Sequence, residues 1–197
     1  MNFQVYGARA SRAFRVLWLL EEMELTYKHY PVSPHDKKLV KVSGQGRIPA
    51  LVDDGQVITD STAILNYLTD GYGQFTFPLA SLERAHQDSL TQFILCEMDS
   101  CCWNAAKHSF VLPEKQRIKT LKATLKWEFN KVAEELCERI NLDEYLMGTL
   151  MTVPDIILTH CLDWAERAKF DAIPLPLKNY QKRMHKRAAY KRVAQLD

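Results

Sequence analysis

No apolar run in the 197-residue sequence approaches the roughly 20 residues that a membrane-spanning helix needs, so a bilayer partner is not expected. An excess of either charge is also missing. Lys and Arg number 26 against 24 Asp and Glu, which removes the strong field that a nucleic-acid binder carries. The basic stretch near the end (Lys178, Lys182, Arg183, Lys186, Arg187, Lys191, Arg192) has no aromatics interleaved at exposed positions and reads as a solvated helix face. Cysteine occurs five times, at 96, 101, 102, 137 and 161, but without CxxC or Cys/His ligand spacing. The odd count and this spacing argue against a secreted disulfide scaffold and against a metal site. All five are expected to pack as small apolar side chains in helices. The start of the chain lacks a basic-then-apolar leader pattern, and a cytoplasmic protein is expected. There is no internal repeat and no low-complexity tract.

What is present divides into two kinds of pattern. Phe3-Gln4-Val5-Tyr6 alternates and stops at Gly7, as a strand does. Phe14, Val16, Leu17, Leu19, Leu20 and Met23 recur at helical spacing behind Ser11, a residue suited to capping. Residues 27–32 read as a second strand, and 34–45 as an irregular, partly helical connection. Two short strands then flank Asp53-Asp54-Gly55, a hairpin signal, and a helix follows from Asp60 to about Thr69. The order βαβαββα predicts a thioredoxin-like α/β domain over residues 1–77. Gly and Pro in the next stretch mark a linker at 78–82, and an all-α helical bundle is expected over 83–197. Its helices are predicted from Ser81 to about Ala106, from Pro113 to Arg139, from Ile156 to Ala168, and in a last amphipathic segment holding Tyr180, Met184 and Tyr190. Thr152 and Asp155 are spaced as a capping box for the third of these.

The most informative stretch is Gly46-Arg47-Ile48-Pro49-Ala50-Leu51, read with Asp60-Ser61. A proline ahead of a strand donates no hydrogen bond to the sheet, which predicts an open strand edge for another peptide. Arg47 and a helix N-terminus flank that edge. Such a site suits a small extended peptide with charged ends, and glutathione is one.

These segments, together with Tyr6-Gly7, the run Ser11-Arg12-Ala13-Phe14-Arg15-Val16-Leu17-Trp18 and the stretch Tyr145-Leu146-Met147-Gly148…Thr152-Val153-Pro154-Asp155, give the chain a resemblance to the cytosolic glutathione transferase family, serine-type and bacterial or theta-like. The resemblance covers essentially the whole chain. It implies a glutathione transferase in which Ser11 hydrogen-bonds the glutathione sulfur, with Ala8, Arg9 and Ala10 as alternatives in the same loop and helix capping as the plain reading of Ser11. It further implies a cis bond between Ile48 and Pro49 and backbone pairing of Ile48 with the cysteinyl part. Arg47 would stand near the glycyl carboxylate, and Asp60 and Ser61 at the γ-glutamyl end.

A thiol of pKa roughly 8.5 is mostly protonated at neutral pH, so a hydroxyl donor and a helix N-terminus that favour the anion would activate it. Trp103, His108 and Phe110 are suited to wall a second, apolar substrate, with core or interface packing an equal alternative. Glutathione is then a co-substrate, no metal or nucleotide is implied, and the expected assembly is a homodimer acting in detoxification. Two alternatives share the fold: a glutathione-dependent disulfide reductase or peroxidase, and a non-enzymatic binding or regulatory protein. The maleylacetoacetate-isomerase branch is disfavoured by the missing Ser-Ser-Cys.

Overall fold

Strand β1 (Phe3–Tyr6) buries Phe3 and Val5 completely, as its alternation requires, and occupies an inner position of a four-stranded sheet. A computed structural model describes residues 3–196. The contacts divide the chain into two units, one running up to Leu79 and resuming at His185, the other spanning Ala80–Met184.

In the first unit, α1 (Ala13–Glu22) carries the chain over to β2 (Tyr27–Tyr30), which pairs parallel to β1 with Val5 opposite His29. The short α2 (Lys37–Ser43) leads to β3 (Ala50–Asp53), antiparallel to β1, and a hairpin leads on to β4 (Gln56–Thr59). Asp54 and Gly55 have φ of 46° and 76°, the positive pair that a two-residue hairpin of primed type demands. Helix α3 (Ser61–Tyr72) follows. The sheet order β2-β1-β3-β4 and the element order βαβαββα are those of a thioredoxin-like domain. One expectation needs correction. Strand β3 has no open edge, because β1 and β4 flank it on both sides. The backbone ahead of it, at Ile48, is what lies outside the ladder.

The second unit is helical. Helix α4 (Leu82–Phe93) continues through a π-helical turn at Ile94–Asp99 into α5 (Ser100–Ala106), and a second π turn spans Lys107–Val111. Helix α6 (Leu121–Arg139) starts later than Pro113, which opens only a 3₁₀ turn at Glu114–Gln116. Arg117 is extended there, its side chain donating to the carbonyls of Leu112 and Phe110 at 2.7 and 3.1 Å.

Helix α7 (Val153–Arg167) is buried at every residue from Val153 to Asp163. Its start is organised by Asp155, fully buried, which accepts from the Thr152 and Leu146 N–H groups at 2.7 and 2.8 Å and from the Tyr180 hydroxyl at 2.6 Å. The expected final helix is two, α8 (Leu175–Met184) and α9 (Ala188–Ala194). They part at Arg187, which is extended and donates to both carboxylate oxygens of Glu22. Helix α9 therefore clusters with the first unit, whereas the sequence reading placed it in the helical domain. Among the described residues, no helix is long and apolar enough to cross a membrane.

Candidate functional site

Gly7 is where the first unit brings its loops together. Its φ is +146°, and a Cβ placed on it would stand 2.9 Å from the Ala13 Cβ and 3.2 Å from the Ile48 Cβ. Only glycine permits that approach. The start of α1 and the segment before β3 thus meet at the end of β1. The Ile48–Pro49 peptide is cis. Ile48's side chain packs on the cluster of Tyr6, Leu39, Ala50 and Val52, so what it offers a ligand is backbone. Among the described residues, no loop, turn or cap hydrogen bond engages its N–H or C=O.

Ser11 sits in the loop between Gly7 and α1, partly buried. Its hydroxyl donates to the Ala8 carbonyl at 2.7 Å and accepts from the Ala13 N–H at 3.1 Å, so it caps the helix and closes the loop at once. No acidic side chain lies in the first turn of α1, which leaves the positive end of the helix dipole uncompensated there.

Asp60 and Ser61 open α3. Asp60 is the N-cap, with one carboxylate oxygen accepting from the Thr62 and Ala63 N–H groups at 2.8 and 3.2 Å. Its φ is 75°, a conformation that costs a non-glycine residue of order 1–3 kcal/mol and tends to occur at functional sites. Ser61 is buried, and the Arg15 Nη1 donates to its hydroxyl at 3.4 Å. Arg47 is exposed, with no hydrogen bond or ion pair to another described residue. His35 comes close to this loop, its N–H donating to the Gly46 carbonyl at 2.8 Å.

Residues 1–70 match the family model described as glutathione S-transferase, N-terminal domain. The chain is 27% identical over 181 residues to glutathione S-transferase D7 of Drosophila melanogaster, covering 89% of this chain and 80% of that protein. It is 22% identical over 187 residues to a probable maleylacetoacetate isomerase of Caenorhabditis elegans, with 90% and 84% covered. Residues 1–70 thus carry a glutathione S-transferase N-terminal domain. In fold it matches a glutathione transferase homolog from Lodderomyces elongisporus, solved with two GSH per subunit, at a TM-score of 0.83 and 21% identity over 98% of this chain and 97% of that one.

Of the three residues suggested for a second substrate, His108 lines a cavity whose wall includes neither Trp103 nor Phe110. That cavity, of about 290 Å³, is lined by His108, Ser109, Arg117, Ile118, Lys119 and Lys122, so three cationic side chains contribute to its wall. Trp103 instead pairs with Trp164, ring centroids 6.4 Å apart, and Phe110 is 69% exposed.

Arg15 was missed by sequence reasoning. It is fully buried, because α1 is enclosed on every side from Ala13 to Leu20. A charged residue inside so apolar a run is the signal that a polar partner waits in the interior. The cysteines mostly pack as expected, with Cys101, Cys102 and Cys161 buried, but Cys96 is exposed.

Proposed function

We propose that the chain is a cytoplasmic, homodimeric glutathione transferase that binds glutathione on the first unit and activates its thiol for conjugation to a small, apolar electrophile. The observation that carries this reading is the convergence at Gly7, where the Ser11 loop meets the cis-proline segment of a domain that matches the family model. Glutathione would lie extended along Ile48, its cysteinyl amide and carbonyl pairing with that backbone in the manner of strand addition. Its γ-glutamyl carboxylate would take the Ser61 hydroxyl and the Ser61 N–H at the start of α3, and its ammonium the second oxygen of Asp60. Arg47, exposed and uncommitted, would hold the glycyl carboxylate.

The sulfur then falls beside the Ser11 loop. The Ser11 hydroxyl would turn from the Ala8 carbonyl to the sulfur, and the thiol proton would leave to water. The thiolate attacks an electrophilic carbon, forming the C–S bond as the leaving group departs with its electron pair. Protein groups supply anion stabilisation and proximity, with no covalent protein intermediate.

One observation favours a second reading. The Ser11 hydroxyl already has a donor and an acceptor inside its own loop, as a residue that only caps would. Glutathione would then be bound without activation, and the protein would serve as a binding or regulatory module. The variant Ser11→Ala separates the two. A hydrogen bond to a charged group is worth about 1.5–3 kcal/mol, so its loss should raise the bound thiol's pKa by roughly one to two units and slow conjugation at neutral pH by roughly threefold or more. Glutathione affinity should change little. An unmoved pKa would support the carrier reading.

A further inference from the structure

We propose that the C-terminal helix α9 clamps the Ser11 loop through Arg9, which makes Arg9 a positioning residue for the Ser11 hydroxyl. The inference rests on the reading above for its chemical consequence. Arg9 lies between Ala8 and Ser11, and its Nη1 donates to the Ala194 carbonyl at 2.7 Å. That carbonyl belongs to the last turn of α9, where carbonyls lack intrahelical partners and a cation meets the negative end of the dipole.

The helix is itself fastened to α1 along its length. Tyr190 packs on Phe14 and Trp18 at 5.0 and 5.1 Å. At its start the Arg187 fork grips both oxygens of Glu22 at 2.6 and 2.7 Å, and from its last turn Arg192 pairs with Glu21. Helix α9 therefore spans from the Glu21–Glu22 end of α1 to the loop before Ala13.

The Ala8 carbonyl that takes the Ser11 proton also takes the Ser11 N–H at 3.0 Å. Moving Arg9 moves that carbonyl, and with it the direction in which Ser11 presents its proton.

The test is backbone hydrogen exchange at Ser11 and Phe14 in the ligand-free protein, paired with the pH midpoint of the glutathione thiol when bound. Arg9→Ala should speed exchange at these two amides roughly fivefold, the weight of one net hydrogen bond, and should raise the thiol midpoint while leaving glutathione affinity within about twofold. Arg9→Lys should restore part of both effects. Arg187→Ala, at the far end of α1, should also speed exchange at Ser11 and Phe14, because it loosens the same helix. Unchanged exchange in Arg9→Ala overturns the clamp. Faster exchange with an unmoved thiol midpoint overturns the positioning role. A wild-type protein that binds no glutathione removes the transferase reading, and the exchange rates still decide the clamp.

Discussion

At Asp60 one side chain serves two purposes that can be separated. One carboxylate oxygen caps α3, while the backbone is held at a positive φ that Asp and Asn tolerate better than most residues. Asn keeps the capping oxygen and the backbone tolerance but loses the charge. Asp60→Asn should therefore leave the melting temperature nearly unchanged and weaken glutathione binding roughly five- to tenfold, through the lost charge-assisted contact to the ammonium. An equal affinity by calorimetry would confine Asp60 to capping.

Cysteine reactivity is a second matter for single residues. Burial, followed by the nearby Glu128 carboxylate, pushes the Cys101 thiol up to about 11. Its thiolate fraction at pH 8 is then on the order of one in a thousand, whereas Cys96 is exposed to solvent. An aromatic disulfide reagent added to the native protein at that pH should label Cys96 and spare Cys101 until denaturant is added. Native labelling of Cys101 at the rate of Cys96 would contradict this burial.

Among the elements, α7 has the most tightly specified start. Its Asp155 is the acceptor for two buried N–H groups and for the Tyr180 hydroxyl, which ties the helix to α8 and to the segment around Leu146. Asp155→Ala strands all of them, and a cost of about 3–5 kcal/mol follows from breaking a buried charged network. Urea unfolding should register it as a lower midpoint with an unchanged slope. A loss under about 1 kcal/mol would mean that water replaces the carboxylate.

Elements with a strong local period were legible in the sequence. The alternation of β1, the helical spacing behind Ser11, the Asp54-Gly55 turn and the capping pair Thr152 and Asp155 each state a local preference that the fold does not override. The break at Arg187 was not legible, because its cause is long-range. Arg187 is held by a carboxylate 165 residues away in sequence, and no window of local residues contains that information. The same limit applies to the site. Ile48-Pro49 and Asp60-Ser61 announce themselves by type and spacing. The burial of Arg15 and the reach of Arg9 to Ala194 depend on which faces meet across the unit.

The whole molecule divides its labour between scaffold and loop. In the thioredoxin-like unit the close approach at Gly7 brings the Ser11 loop, the cis-proline segment and the first turn of α1 to the end of β1. Such an arrangement has a purpose in catalysis only if the sulfur bound there is more acidic than in water. The direct measurement is the ultraviolet thiolate absorbance of protein-bound glutathione as a function of pH, at saturating protein and against a glutathione-free blank. The account predicts one titration with a midpoint at least about one unit below that of the free thiol, moving upward in Ser11→Ala. A midpoint equal to that of free glutathione, with binding confirmed in the same cuvette, would contradict it.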